Sequence, residues 1–158
     1  MSVIAIESAM EHTYAEPEDL ALVQRCLDAA EDTAQDFIQR RFYADDAALA
    51  AARATVPTLR SDARAVYDAA ILAAAAITDE AVKNEVIADA QAILADSLVA
   101  ALRIQNGIVI KPAIVSACLL ITGHLYANRE DVVAGVSVAA LPNGADSLLW
   151  PSRIGLGI

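Results

Sequence analysis

The histidines, cysteines and closely spaced carboxylates are the side chains of this sequence that could do chemistry. The two histidines, His12 and His124, lie in unrelated segments, and neither belongs to a His-Glu-x-x-His zinc motif. The two cysteines, Cys26 and Cys118, stand among apolar residues and not in the Cys-x-x-Cys spacing of a metal or redox site. A glycine-rich phosphate loop and a serine nucleophile elbow are also missing from the sequence. We therefore expect neither an enzyme nor a bound cofactor.

Carboxylates at helical spacing occur at Asp28 and Asp32, and Glu31 lies four residues before Gln35. Asp28 and Asp32 fall on the polar side of an amphipathic pattern, where charge is expected without a catalytic role. A di-metal helical bundle would need Glu-x-x-His pairs on facing helices, and the sequence has none. We interpret the cysteines as small core residues in a reducing compartment, and His124 as a hydrogen-bonded histidine of the core or of an interface.

The segment 111–131 is the one that the other elements must surround. It carries no charge between Lys111 and Arg129, and Pro112 suits the first turn of a helix, where its missing N–H would be unpaired. Apolar residues occupy nearly every face of this helix, a pattern typical of a central core helix or of a membrane span. The uncharged run is at the short limit of the roughly 17–25 residues that a span needs. We predict a central buried helix, with a membrane span as the alternative.

An amphipathic helix is predicted over 17–41, because apolar residues recur there at steps of three and four. The predicted inward stripe consists of Leu20, Val23, Leu27, Ala30, Ala34, Phe37 and Arg41. Arg40 and Arg41 suit the negative C-terminal end of such a helix. They could instead meet a phosphate or the carboxylate of a partner.

Three further helices are predicted between the first helix and the central one. An alanine-rich helix over 44–54 should end before Val56-Pro57, because proline disfavours the helical conformation of the preceding residue. Longer helices over 61–77 and 79–105 follow, separated by a capping signal at 78–80. Since their connection is so short, they should form an antiparallel hairpin. Its many alanines would allow close backbone approach, within the chain or against a neighbouring copy.

Two short β-type runs, 108–110 and 136–138, could pair as a small ribbon. Beyond them, the stretch 141–158 begins with a turn and ends in an apolar segment that contains two glycines. We interpret it as an arm that docks on a partner, with disorder as the alternative. The predicted division is therefore a helical domain over 1–140 and a docking arm over 141–158. The predicted class is an all-α helical bundle with a long hairpin and a possible minor β-ribbon.

The composition limits the classes of function. The chain has 158 residues, the length of one domain, and is 57% hydrophobic but only 4% aromatic. Its formal net charge of −10 argues against a wrapping grip on nucleic acid, which needs lysine and arginine at the phosphates. The same charge is compatible with an acidic wall that DNA passes without sticking. The first residues lack a basic start and a long apolar run, so we expect no signal peptide.

Two stretches in the second half of the chain resemble the motifs of one protein family. They read Cys118-Leu-Leu-Ile-Thr-Gly-His-Leu-Tyr-Ala-Asn-Arg-Glu130 and Leu141-Pro-Asn-Gly-Ala-Asp-Ser-Leu-Leu-Trp-Pro-Ser-Arg153. They resemble the patterns ILLxxGHxYENRE and LPxGxxxLLxPYR of the head–tail connector (adaptor) proteins of tailed bacteriophages. Residues 22–43, which end in two arginines followed by two aromatic residues, resemble the first helix of that family. Ser152 departs from the family's usual tyrosine, and the hairpin over 61–105 is longer than in its minimal members.

The resemblance implies an all-helical subunit that assembles into a ring of about twelve copies beneath the portal protein at the capsid vertex. The ring would extend the channel through which double-stranded DNA passes without specific binding. It would also give a stopper or tail-completion protein its attachment surface. Such a subunit belongs to the neck of the virion and resides in the host cytoplasm during assembly.

The resemblance also implies roles for two sets of residues. The residues expected at contacts between subunits are His124, Tyr126, Asn128, Arg129 and Glu130. Those expected to bind the portal or another partner are Leu141, Pro142, Gly144, Leu148, Leu149, Trp150, Pro151, Arg153, Leu156 and Ile158. The alternative function is a small-ligand-binding helical protein, suggested by His124 and Tyr126 within an apolar helix.

Overall fold

The computed structural model of the chain describes residues 2–128 and 144–155. Its helices are α1 (Ile6–Thr13), α2 (Leu20–Ile38), α3 (Asp46–Ala74), α4 (Glu80–Gln105), α5 (Pro112–Ala127) and α6 (Ala145–Leu149). Its strands are β1 (Phe42–Tyr43) and β2 (Ile108–Val109), and 3₁₀ turns occupy Pro17–Asp19 and Trp150–Ser152. The predicted all-α class with minor β structure is confirmed.

The chain divides into two compact units, and the division differs from the one expected at residue 141. Asp46–Gly107, which holds α3 and α4, is one unit, and the residues before and after it form the other. Residues 144–155 therefore belong to the first unit, with α1, α2 and α5. The alanine-rich hairpin therefore forms a compact unit of its own.

Helix α5 is the central helix of the first unit, as predicted, and it packs against α1, α2 and α6. Ile114 and Cys118 lie in the core, and the hydroxyl of the buried Thr122 donates to the Cys118 carbonyl oxygen at 2.8 Å. Its burial is not complete, because Leu120 and His124 are exposed. Across 2–128 and 144–155, no helix combines the length and the apolar character needed to cross a membrane.

Helix α2 buries most of the predicted stripe against α5. Its buried residues are Val23, Cys26, Leu27, Ala30, Glu31, Ala34 and Ile38. Two predicted members, Leu20 and Arg41, are exposed. Leu20 is the first residue of the helix, and Arg41 lies beyond its end because Gln39 adopts a left-handed conformation with φ 60°. The prediction of both cysteines as small core residues is confirmed by the burial of Cys26 and Cys118.

The short strands β1 and β2 form a parallel ribbon, in which Phe42 pairs with Ile108 and Tyr43 with Val109. The Ile108 N–H donates to the Arg41 carbonyl oxygen at 2.9 Å. The ribbon partner is thus β1, whereas the sequence suggested 136–138, which lies outside the described residues. A parallel pair needs a long crossover, and the hairpin unit supplies it.

The second unit is the predicted antiparallel hairpin of α3 and α4. A correction concerns its first part: the helices expected over 44–54 and 61–77 are one helix, α3, which continues through Pro57. Alanine-rich sequence on both sides favours the helix strongly enough to keep it continuous. Pro57 is exposed, so the Arg53 carbonyl oxygen that loses its helical N–H partner is on the solvent side. Asp79 caps α4 by accepting from the Ala81 and Val82 N–H groups at 2.8 and 3.3 Å.

Candidate functional site

The end of α5 carries three of the residues that the family resemblance assigns to subunit contacts. The Tyr126 hydroxyl donates to Asp19 Oδ2 at 2.5 Å, which ties the end of α5 to the start of α2. The Asn128 side-chain amide donates to the His124 carbonyl oxygen at 3.0 Å and lies 3.2 Å from His124 Nδ1. His124 itself is exposed, so its interpretation as a core histidine is wrong, whereas its expected role at an interface stays a prediction. Arg129 and Glu130 lie outside the described residues.

The segment 144–155 packs against its own chain and is not a free arm. Leu149 is fully buried in the core of the first unit, and Leu148 packs against that core. The Ile154 N–H donates to the Ile38 carbonyl oxygen at 3.2 Å, which fixes the segment on the end of α2. Leu149 therefore cannot serve as a partner contact, because its side chain is already enclosed. Four other arm positions lie outside the described residues, namely Leu141, Pro142, Leu156 and Ile158.

An aromatic cluster of Phe37, Trp150 and Arg153 forms where this segment crosses α2. The two ring centroids are 6.3 Å apart with an interplanar angle of 53°. The Arg153 guanidinium carbon lies 4.9 Å from the Phe37 centroid and 5.5 Å from the Trp150 centroid, within the range of cation–π attraction. Sequence reasoning assigned Phe37 to the core and Arg153 to a partner. It could not join them, because no local pattern connects such distant positions.

Among the described residues that were assigned to partner binding, Trp150 and Pro151 are the exposed ones. Trp150 is 52% exposed even though one side of its ring meets the aromatic cluster. Nearby, Arg40 Nη1 donates to the Ser152 carbonyl oxygen at 3.4 Å, whereas Arg41 is exposed. A half-exposed tryptophan held in place by a guanidinium is the type of rigid apolar anchor that protein interfaces favour.

Glu31 is a buried carboxylate whose role the sequence analysis missed. It is 4% exposed, and its oxygens accept the Val3 N–H at 2.9 Å and the Ile4 N–H at 2.8 Å. Burial raises the pKa of this carboxyl, and these backbone hydrogen bonds oppose the rise only in part. The signal was available, since Glu31 occupies a stripe position between Leu27 and Ala34. The arrangement fastens the N-terminal segment to α2.

The Cys118 thiol is buried in surroundings that suppress its reactivity. Cys118 is fully enclosed, and its burial, followed by the nearby charge of Glu31, raises the pKa of its thiol to about 12. Such a thiol stays protonated and is a poor nucleophile or metal ligand. Within the described residues, no group of three or more His, Cys, Asp and Glu side chains could hold a metal ion.

His12 packs against α5 at the edge of an open cleft. Its ring atoms lie 3.5 Å from the position that a Cβ would take at Gly123, an ordinary van der Waals distance, so the ring packs over this part of α5. The cleft has a volume of about 460 Å³ and is also lined by Glu11, Tyr14 and Leu119. It joins side chains from α1 and α5, and His124 and Tyr126 do not line it.

No protein-family model, curated protein or solved structure matches this chain.

Proposed function

We propose that the chain is a head–tail connector (adaptor) subunit of a tailed bacteriophage, which assembles into a ring beneath the portal. The observation that carries the proposal is the ordered pair of motifs at 118–130 and 141–153. The described parts of these motifs are in contact, because α5 and α6 pack together and Cys118 and Leu149 share one core. The second motif thus forms part of the surface of the first unit, and its exposed residues are proposed to be the attachment site for a partner.

The proposed roles of the motif residues follow from their exposure. Trp150 and Pro151 are exposed and are proposed to meet the portal. His124 is exposed at the end of α5 and is proposed to face a neighbouring subunit. Leu149 and Tyr126 act within the chain, since one is buried in the core and the other bonds Asp19. The net charge of −10 supports a conduit that repels the DNA phosphates.

The test uses the phage that encodes this chain and the portal protein of the same phage. Without the chain, infected cells should accumulate DNA-filled heads and separate tails that do not join. Supplying the chain in trans should restore infectious particles, and Trp150→Ala should bind purified portal at least about tenfold more weakly. Tyr14→Ala is the matched control, because Tyr14 is an exposed aromatic residue outside the aromatic cluster. Normal joining of heads and tails without the chain would reject the proposal.

The small-ligand alternative draws less support from the described residues. It was suggested by His124 and Tyr126, but the first is exposed and the hydroxyl of the second bonds Asp19. The open cleft beside His12 is the concave surface that such a ligand could use. A thermal-shift screen of small metabolites tests this alternative, because a ligand that binds the native state raises its melting temperature.

A further inference from the structure

The α3–α4 hairpin has two broad faces, and both leave large apolar side chains exposed. One face holds an open groove of about 400 Å³ between the helices, lined by Leu59, Asp62 and Val66 of α3 and by Ala100 and Ile104 of α4. Val66 is 60% exposed on this side. Ile93, which is 57% exposed, lies seven residues before Ala100 and therefore on the same side of α4. We call this side the acidic face, for the charges that border it.

The charges bordering the acidic face are aspartates. Asp62 lines the groove itself. On α4, Asp89 and Asp96 stand four residues before and three residues after Ile93, which is the spacing of neighbours on one helix face. All three aspartates are exposed, and none forms an ion pair with another described residue. Their charges are therefore free to meet a cationic partner.

The opposite side of the hairpin, which we call the basic face, carries arginines. Arg60 and Arg64 are spaced by four and share a side of α3, while Asp62 lies two residues from each and so points away from them. Arg53, seven residues before Arg60, donates to the carbonyl oxygens of Gln105 and Gly107 at 3.0 and 3.2 Å. Arg60 and Arg64 are exposed and form no ion pair within the described ranges.

The basic face is apolar on its α4 side. Leu102 is two residues from both Ala100 and Ile104, which line the groove, so it lies on the side away from the groove. It is 48% exposed, and the half-buried Leu98 lies one turn before it. Each face thus combines an apolar strip with charges that are mainly of one sign, and the two prevailing signs are opposite. The exceptions are Asp68, four residues after Arg64 on the basic face, and Arg103, seven residues after Asp96 on the acidic face.

We propose that the acidic face of one copy packs on the basic face of the next copy. Pairing two acidic faces would set Asp62, Asp89 and Asp96 against their own counterparts, which like-charge repulsion disfavours. Pairing unlike faces sets Arg60 and Arg64 against Asp62 at the same level of the hairpin and covers both apolar strips. A contact between two different faces of one chain is heterologous, and it generates a closed ring when the rotation between neighbours closes.

The size of the faces fits such a contact. The 26 residues of α4 give the hairpin a length of about 40 Å, and two helices side by side are about 20 Å wide. Each broad face therefore offers on the order of 800 Å², the area that one partner contributes to a standard stable interface. The proposed contact deepens the proposed function by naming the surface between neighbouring subunits. Only the location of the ring in the virion rests on the proposed connector function.

The test reverses the charge of each face in a separate variant of the full chain. The first variant combines Arg60→Glu with Arg64→Glu, and the second combines Asp62→Lys with Asp96→Lys. Each variant alone should associate at least about tenfold more weakly than the natural chain in sedimentation velocity at low salt, because like charges then meet. An equimolar mixture should regain association, because every contact in an alternating assembly again joins unlike charges. The control is Arg25→Glu with Arg41→Glu, two exposed arginines of the first unit.

Crosslinking supplies a measurement that needs only single surface substitutions. Asp62→Cys and Arg64→Cys chains should crosslink to each other through a short bis-maleimide when mixed, and neither should crosslink to itself. The natural chain gives the background, because its Cys26 and Cys118 are buried. The contact is rejected if the natural chain stays monomeric up to its solubility limit, if the mixture fails to regain association, or if each variant with an added surface cysteine crosslinks to itself. Self-association without portal binding would instead reject the connector function alone.

Discussion

At the scale of single residues, Glu31 is a charged group in a position that the helical pattern reserves for apolar side chains. Its neighbours on the same side of α2, Leu27 and Ala34, are fully buried. The Val3 and Ile4 N–H groups would lack partners without its carboxyl, and leaving such groups unpaired in a buried site costs about 1–3 kcal/mol each. Burying the Glu31 carboxyl therefore costs desolvation energy, and its hydrogen bonds to the Val3 and Ile4 N–H groups order the N-terminal segment.

The stability that Glu31 contributes should depend on pH. Burial raises its pKa in the folded chain above its ordinary value of 4.5, so the folded state holds this proton more tightly than the unfolded state. The contribution is complete below pH 4.5 and is lost as the pH rises through the folded-state pKa. Denaturant titrations from about pH 4 to about pH 8 should therefore show the natural chain losing stability relative to Glu31→Gln as the pH rises. Asp32→Asn, at an exposed carboxylate of the same helix, is the control. A constant difference between the natural chain and Glu31→Gln contradicts this assignment.

The sequence indicated the environment of some reactive residues and not of others. Cys26 and Cys118 follow the apolar periodicity, and their predicted burial is confirmed. His124 lies on α5, where apolar residues surround the helix, so periodicity could not show which side is exposed. The aromatic cluster depends on a contact between α2 and residues 150–153, and no sequence spacing predicts it.

At the scale of elements, α3 contradicts the usual effect of proline. Pro57 lies inside a helix of 29 residues, where it removes one backbone hydrogen bond. The prediction of a break relied on proline alone and gave too little weight to the alanines on both sides. The adjoining hairpin turn and the amphipathic α2 were predicted, because capping residues and periodicity are local signals. The partner of β2 was not, because strands of two residues carry no pattern.

Replacing Pro57 with alanine should stabilise the chain by about 2–3 kcal/mol. The substitution restores the N–H that can bond to the Arg53 carbonyl, and alanine has the higher helix propensity by about 3 kcal/mol. The larger entropy of the unfolded alanine chain offsets about 0.4–1 kcal/mol of that gain. Thermal unfolding followed by circular dichroism measures the change. Thr58→Ala, at the neighbouring exposed position, is the control and should shift the midpoint far less.

Replacing Leu149 with alanine should destabilise the first unit by about 2–5 kcal/mol, the range for removing a fully buried leucine side chain. The side chain fills the core beside α2 and α5, so its loss leaves a cavity. Leu148→Ala is the matched control, with a smaller expected loss because Leu148 is only partly buried. Equal effects of the two substitutions would show that α6 is not docked as described. Denaturant unfolding monitored by the fluorescence of Trp150 reports on the same region.

At the scale of the whole molecule, two properties stand out: the net charge of −10 and the division of the chain into two compact units. The low aromatic content and the abundance of alanine predicted a core of small contacts, and the buried seam of the hairpin consists of small and medium residues. The sequence did not predict that the hairpin forms a unit by itself. Such a division depends on which elements pack together in space. The sequence signals for the turns at the two ends of a hairpin are the same whether the hairpin packs on the other helices or forms its own unit.

The net charge predicts negligible affinity for duplex DNA. With a formal charge of −10, the chain as a whole repels phosphates, so we expect too little counterion release to drive tight binding. A gel-shift titration at physiological salt should show no retarded DNA at micromolar protein. The double variant Asp62→Lys with Asp96→Lys tests the sensitivity of the assay. It replaces two negative charges with two positive ones, so DNA binding should appear in this variant before it appears in the natural chain. Tight binding by the natural chain would contradict its proposed role as a passive conduit.

The parallel ribbon makes the hairpin an exchangeable module. The Arg41 carbonyl oxygen and the Ile108 N–H are 2.9 Å apart, so the points where the chain leaves and re-enters the first unit are neighbours. A flexible linker of about five to eight residues could bridge that gap in place of the whole excursion. The hairpin can therefore be shortened, extended or replaced while α1, α2, α5 and α6 keep their packing. One chain could in this way acquire spacers of different reach by changing a single continuous stretch of its gene.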